Sequence, residues 1–411
     1  MDADLRRDAG EIIRCSIASV LPDEAVRSAL SEAELEGRLH VIAIGKAAWQ
    51  MASAAMDILG SRVVGGFIAT KHGHSQGELP PLRIIEAGHP VPDEGSFEAG
   101  RAGLEYASSL TADDTLVFLV SGGASAIFEL PLVPEEELSD ITRQLLACGA
   151  DIREMNLIRK RLSAVKGGKF AKACGDARIF QIVLSDVLGD DLETIASAPA
   201  HPDSSVCAQA FGVVEKYGLK LSERALELLA VETPKELSNV TTLITGSVRV
   251  LAKAAEEACE ELGYETVILT DDLRCEAKDA GRMLGELARQ KCAEGARSLA
   301  FIAAGETVVK LRGDGLGGRN QEIALSAAEL IDGLPAAVFS VGSDGTDGPT
   351  DAAGGYVDGE SLGDMKALGI DPAEVLARND SYHALEAIGG LIKTGPTGTN
   401  VNDAAVLLIR G

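Results

Sequence analysis

The sequence predicts an α/β protein of two domains, and three observations lead there. At 411 residues the chain exceeds what one ordinary core organises, so two domains of roughly 150–250 residues each are expected. Short apolar strands alternate with amphipathic helices, the pattern of parallel α/β architecture. Several strand candidates are near-continuous apolar runs, as expected where helices cover both faces of a sheet.

The elements follow in order. Residues 41–44 form the first strand candidate, then Gly45-Lys46 and a helix of good formers through Leu59. Residues 67–70 and 84–86 repeat the theme, and 115–120 read as a strand buried on both faces. That strand runs into Ser121-Gly-Gly-Ala-Ser125, and residues 179–184 run into Ser185-Asp186-Val-Leu-Gly-Asp190-Asp191. The polar stretch 231–239 interrupts the periodicity and is the linker candidate. The rhythm resumes with strands at 242–245, 267–270 and 299–303, separated by helices reaching Leu262 and Ala293. A strand at 308–312 leads into a glycine-rich loop, a helix from Arg319 and an apolar strand from Ala336. The run 404–409 closes the chain.

Bulk numbers narrow the function. Apolar residues make up 46% of the chain and charged residues 25%, as in a soluble globular protein. No run of about 18 apolar residues spans a membrane, and the charged N-terminus lacks a signal-peptide core. Seven cysteines without a C-x-x-C pair read as reduced thiols of a cytoplasmic protein. The net charge of −25 argues against a nucleic-acid partner. One segment inverts that sign: seven basic residues lie between Arg153 and Lys172 against a single acid, Glu154. Such a run is commonly a solvated helix face. In so acidic a chain it is also the one obvious funnel for an anionic substrate.

The segment from Arg312 to Gly355 carries the most chemistry. Gly313, Gly315, Gly317 and Gly318 precede a helix whose positive end would face an anion. Arg319 at that helix start suits carboxylate or phosphate through its planar fork. The spacing departs from G-x-G-x-x-G, and no acid ends a strand about 20 residues on, so a nicotinamide site is disfavoured. Asp344, Asp347 and Asp351 follow the strand from Ala336, and Asp186, Asp190 and Asp191 follow the strand ending at Leu184. Either set suits a Mg²⁺ that keeps several waters, although Asp and Gly also dominate ordinary turns. Ser121, Gly122, Gly123, Ala124 and Ser125 read as a phosphate-cradling nest. Gly45-Lys46 sits where a lysine reaches a bound phosphate, although Ala47 rules out a Walker A motif. His72 and His74 lack a third ligand nearby and read as loop residues. His89 stands in a rigid turn.

Together these motifs resemble the glycerate 2-kinase family, the two-domain type whose C-terminal part is called MOFRL and which once carried the name hydroxypyruvate reductase. The matching segments are Ile44-Gly-Lys46-Ala, Ala87-Gly-His-Pro-Val-Pro92, Ser121-Gly-Gly-Ala-Ser125, Asn156-Leu-Ile-Arg-Lys160 with Lys166-Gly-Gly168, and Leu184-Ser-Asp186-Val. Further on come Thr245-Gly246, Gly305-Glu306-Thr307, Gly317-Gly-Arg-Asn-Gln-Glu322, the run from Gly342 to Asp351, and Thr397-Gly-Thr-Asn400-Val-Asn402-Asp403. They run in family order over nearly the whole chain. Two positions depart from the family pattern: Ala124 replaces a glycine, and Arg161 stands where a histidine is expected.

The resemblance implies an N-terminal Rossmann-like parallel sheet with helices on both faces (residues 1–235) and a smaller C-terminal α/β domain (236–411), with the active site in the cleft between them. It implies ATP-dependent phosphoryl transfer to the 2-hydroxyl of D-glycerate, giving 2-phosphoglycerate and ADP. The alternatives are an NAD(P)H-dependent hydroxypyruvate reductase, a glycerate 3-kinase, and a regulator that binds a metabolite without catalysis. Lys46 and Arg319 fall on the family's implicated basic residues, and Asp186 is taken with them as the third catalytic residue. Phosphate and nucleotide contacts are expected from Ser121–Ser125, Gly315, Gly317, Gly318, Asp344, Asp347 and Asn400. Mg²⁺ is expected on Asp190 and Glu306. Small molecules are the expected partners, in a cytoplasmic monomer or homodimer.

Overall fold

In the computed structural model, which describes residues 2–295 and 297–411, the chain forms two compact units. One is Ala25–Thr245; the other joins Met1–Glu24 to Gly246–Gly411.

The first unit holds six strands: β1 (Arg38–Ile44), β2 (Val63–Lys71), β3 (Arg83–Ala87), β4 (Asp114–Val120), β5 (Arg178–Leu184) and β6 (Val240–Gly246). Their order is β3-β2-β1-β4-β5-β6. β1 pairs in parallel with β2 and β4, β2 with β3, and β4 with β5. The chain thus winds outward from β1 on one side, then returns to its other flank at β4 and winds the opposite way. Connections diverge at the carboxyl ends of β1 and β4, which is where a sheet of this order binds its ligand.

Every residue of β4 is buried, as its apolar run requires when both faces are covered. Phe118 on β4 packs against Phe170 with ring centroids 4.9 Å apart, and Phe128 meets Phe170 edge-on at 5.4 Å. These rings sit in the core with Ile42, Ile44 and Val120. A second small core unites helices Glu135–Ala147, Ile152–Leu162, Cys207–Tyr217 and Glu223–Leu229 through residues such as Leu145, Ile158, Val213 and Leu229. Asp151 starts the second of these helices with a capping box, its carboxylate taking the Glu154 N–H.

The second unit holds β7 (Glu265–Leu273), β8 (Leu299–Gly305), β9 (Ala336–Gly342), β10 (Gly354–Asp358), β11 (Leu391–Ile392) and β12 (Asp403–Ile409), in the order β11-β10-β9-β12-β8-β7. β7 and β8 are parallel, but β12 runs antiparallel between β8 and β9, and β10 antiparallel beside β9. The sheet is therefore mixed. The N-terminal helix Ala3–Ser19 belongs here, and its buried Asp8 accepts the Tyr264 hydroxyl at 2.8 Å.

Three features differ from the sequence reading. The stretch 231–239 is packed against the first unit, where Thr233 donates to Asp203 at 2.7 Å and the Asn239 carbonyl receives the Ile179 N–H. The strand that follows it is the edge of the first sheet, and the chain crosses to the second unit at 245/246, not at 235/236. No strand forms over 308–312; Val308 makes only an isolated bridge to Glu276.

Asp114, at the opening of β4, is 1% exposed. It accepts from Arg38 Nε and Nη2 at 2.8 and 3.0 Å, from the Thr111 N–H and hydroxyl, and pairs with His40. Burial opposes its charge, yet the bonds from His40, Thr111 and Arg38 outweigh that and hold the carboxyl well below the usual range. Replacing it by Asn should lower the unfolding free energy of the first unit by about 2–3 kcal/mol near neutral pH. Because the native carboxyl holds its proton less tightly than the unfolded one, this contribution is present above about pH 4 and lost below it. Denaturant melts of both proteins at pH 7 and pH 3 check it: the gap should narrow in acid.

Candidate active site

The carboxyl ends of β1 and β4 meet through their turns. The Lys46 N–H donates to the Gly122 carbonyl at 2.9 Å, and the Ala47 N–H donates to Ser121 Oγ at 3.1 Å. Gly45 makes this approach possible: its φ is 118° and a Cβ there would overlap Ser121. The Lys46 carbonyl accepts from His74 Nδ1 and Thr70, so the lysine backbone is held from both sides. Its ammonium has no hydrogen bond or ion pair among the described residues.

Two glycines make room for the other side chains. A Cβ on Gly122 would lie 2.5 Å from Asp186 Oδ2. One on Gly123 would lie 2.9 Å from His89 Cδ2 and 3.0 Å from Lys46 Cγ. The fold thus brings Lys46, His89, Ser121–Ser125 and Asp186 together from four separate sequence motifs. The N–H groups of Gly122 and Gly123 have no acceptor among the described residues, and Gly123 is left-handed at φ 84°. A turn with free successive N–H groups and a left-handed residue has the geometry of an anion-binding nest. His89 is half-buried; burial first, then the charges of Lys46, Lys71 and His74, push its pKa down and favour the neutral ring.

Further along the loop after β5, Asp191 accepts from the Glu193 N–H and the Thr194 hydroxyl, so it shapes the turn. Asp186 and Asp190 are partly exposed on the same loop. His72 is bonded to Asp93 at 2.7 Å.

In the second unit, the ends of β8, β9 and β12 gather a different set. Arg319 opens helix Arg319–Ala327 and grips Asp403 with Nε at 2.5 Å and Nη2 at 3.0 Å, while Nη1 reaches Glu306 at 3.0 Å. Burial works against its charge, but Asp403, Glu306 and Asp347 outweigh it and raise its pKa. Burial likewise pushes Asp403 up, to about 6, with Arg319 restraining the rise. Three of the five guanidinium N–H groups are engaged and two remain. The side chain keeps 33% of its surface exposed. Glu306 also accepts from Asn402 Nδ2, and Asn400 accepts from the Asn402 N–H.

Asp347 has another task than the expected phosphate contact. It is 2% exposed and accepts from the N–H groups of Asn320 and Gln321 at 3.1 and 2.9 Å. Its carboxylate thereby fills the positive helix end that the sequence reading left for a phosphate. The neighbouring glycines serve packing. Gly315 lies against Arg378 and Asp380, Gly317 against Ser381, and Gly318 against Asp347. Asp344 bonds the Thr346 N–H and stays partly exposed.

No group of three His, Cys, Asp or Glu side chains is placed to hold a metal among the described residues. Glu306 is committed to Arg319 and Asn402. A Mg²⁺ bound mainly by phosphates and waters needs only one or two carboxylates, and Asp186 with Asp190 fits that need. A cavity of about 890 Å³ in the second unit, lined by Arg6, Ile13, Tyr356 and Lys393, holds none of the expected site residues.

A parallel sheet with a nest, an unpaired lysine and a carboxylate at its order switch defines a phosphate-handling α/β enzyme class. The comparisons specify it. Residues 8–230 match a domain of unknown function, DUF4147, and residues 299–403 match the MOFRL family. The chain is 47% identical to the D-glycerate 2-kinase of Thermotoga maritima over 411 residues, covering 98% of each chain. It is 42% identical to the glycerate 2-kinase of Pyrococcus horikoshii, covering 92% of this chain and 89% of that one. The crystal structure of the Thermotoga maritima glycerate kinase superposes with a TM-score of 0.95, covering 99% of both chains at 47% identity. The chain belongs to the glycerate 2-kinase family.

Asp347→Ala should cost about 1–2 kcal/mol by stripping the helix of its cap, while Asp344→Ala should stay within about 0.5 kcal/mol of the parent. Thermal unfolding of the two variants side by side checks the contrast.

Proposed function

We propose that this protein transfers the γ-phosphoryl group of ATP to the 2-hydroxyl of D-glycerate, releasing 2-phosphoglycerate and ADP. The observation that carries the reading is the unpaired Lys46 ammonium beside an open nest at the sheet's switch point. The near full-length likeness to two glycerate 2-kinases supports it.

Phosphoryl transfer asks for positioning and charge neutralisation. The Gly122 and Gly123 N–H groups and Lys46 take phosphate oxygens. The glycerate 2-hydroxyl oxygen attacks the γ-phosphorus, the bond to the ADP oxygen breaks, and the hydroxyl proton passes to Asp186. In the second unit, Arg319 keeps two guanidinium N–H groups for an anion, its plane fixed by Asp403 and Glu306. Asp190 would hold a Mg²⁺ carried by the phosphates, which would supply positive charge against them.

A hydroxypyruvate reductase finds less support. β2, the neighbour of β1, ends at Lys71, where a nicotinamide site carries a ribose-binding acid. Seven free thiols fit the reducing cytoplasm in which we place the protein. No helix among the described residues is long and apolar enough to cross a membrane.

Purified protein with Mg-ATP should release ADP only when D-glycerate is present, and the product should be the 2-isomer. The 3-isomer would move the target hydroxyl; silence with glycerate and NADH oxidation by hydroxypyruvate would replace the reading. Lys46→Ala should lower kcat by roughly 10²–10³ with an unchanged unfolding midpoint. Gly122→Ala should also be crippled, since its methyl would displace Asp186.

A further inference from the structure

The basic run 153–172 reads from sequence as an anion funnel, yet most of it is structural. Lys160 meets Asp203 at 3.1 Å, and fully buried Arg161 bonds Ser205 and Glu232. Lys166 donates to the Ser125 and Phe128 carbonyls at 2.7 and 3.0 Å and pairs with Glu129 at 3.3 Å. Lys169 caps the carbonyls of Lys160, Arg161 and Ser163. Arg153 and Lys172 are exposed. Arg159 is the exception. It is half-buried, with no hydrogen bond or ion pair among the described residues. A guanidinium withdrawn from water without a partner is a cost that the fold does not offset internally.

Its surroundings share that character. Asn156 lies one turn earlier on the same helix face and is 4% exposed. Its Oδ1 accepts from Ser197 at 3.0 Å, while its buried Nδ2 has no partner. Ser197 Oγ is 2.7 Å from Ser125 Oγ, at the end of the β4 loop. Ser197 is reached through an unusual turn: Ala196, Ser197 and Ala198 all lie at φ between 53° and 59°. That conformation is costly for residues with a Cβ. The Gly167 and Gly168 N–H groups hold it by donating to the Ser197 and Ala198 carbonyls at 3.0 and 2.7 Å. The nearby acid, Glu129, is engaged by Lys166.

An orphan amide N–H and an unpaired guanidinium form a donor pair lacking its acceptor, the complement of a carboxylate. We propose that Arg159 and Asn156 bind the carboxylate of the hydroxy-acid acceptor, fixing it beside the Ser121–Ser125 loop. This rests on the glycerate kinase reading. It makes the carboxylate, rather than the hydroxyls, the group by which the acceptor is recognised, so glycerol is refused.

The test is steady-state kinetics of Arg159→Gln, Arg159→Lys and Asn156→Ala with D-glycerate and ATP varied separately. Arg159→Gln should raise KM for D-glycerate roughly 30–100-fold and leave KM for ATP within about threefold, with Arg159→Lys intermediate. Preference for D-glycerate over glycerol should fall by a similar factor. A rise in KM for ATP instead would assign the site to a nucleotide phosphate and overturn the proposal, as would unchanged kinetics. Calorimetric titration of D-glycerate into wild type and Arg159→Gln separates the two levels of inference. If wild type turns over no glycerate yet binds it through Arg159, the kinase reading falls and the site stands. If wild type turns over normally and Arg159→Gln binds glycerate equally well, the site falls alone.

Discussion

The first unit's chemistry depends on one close approach, the contact between the turn after β1 and the turn after β4. Parallel strands need long crossovers, so adjacent strands whose crossovers diverge leave a crevice at their carboxyl ends. Here that crevice is bridged by the Lys46 N–H on the Gly122 carbonyl and the Ala47 N–H on Ser121. A side chain at position 45 would push the two turns apart. With the turns locked, the Lys46 backbone has no freedom and its side chain projects from a fixed base. The absence of side chains at 122 and 123 then lets Asp186, His89 and Lys46 crowd the same few ångströms.

The second unit manages charge differently. In a chain of net charge −25, cations are scarce and most carboxylates need a reason to be buried. Asp347 has one, because a helix start offers unpaired N–H groups and partial positive charge. Asp403 has another, the Arg319 fork. An incoming phosphate is therefore not needed to complete either group. Arg319 differs from Lys46 in this respect: it is aimed by its own acids before any ligand arrives, and preorganised charge is more effective than charge that must reorient.

Much of this was legible in the sequence. Buried strands such as β1, β4, β5, β8 and β12 read as apolar runs, and the glycines after β1 and β4 marked the turns that matter. Strand direction was not legible. β12 is buried along its whole length, and an apolar run of that kind looks the same in a parallel or an antiparallel setting. β10 begins with two glycines and β11 is two residues long, so neither carries a period. The acidic run 344–351 was read as one chemical unit, although the fold buries Asp347 and leaves Asp344 and Asp351 toward solvent. Arg159, Lys160 and Arg161 are consecutive in sequence, yet about 100° per residue of helix turn sends each to a different environment. Nothing in Ala196-Ser-Ala198 announces left-handed backbone, since that conformation is imposed by neighbours on residues that do not favour it.

The arrangement of charge at the β1–β4 crevice also bears on what it can bind. Lys46 and Asp186 both reach the glycine pair, Lys46 with its Cγ beside Gly123 and Asp186 with its carboxylate beside Gly122. The Lys46 ammonium makes no ion pair among the described residues. A lone anion would need only the lysine and would be repelled by the aspartate. A lone divalent cation would need more carboxylates than are gathered here. An unpaired ammonium beside open backbone N–H groups is thus the complement of a phosphate oxygen, and a nearby carboxylate suits a phosphate that brings its own cation.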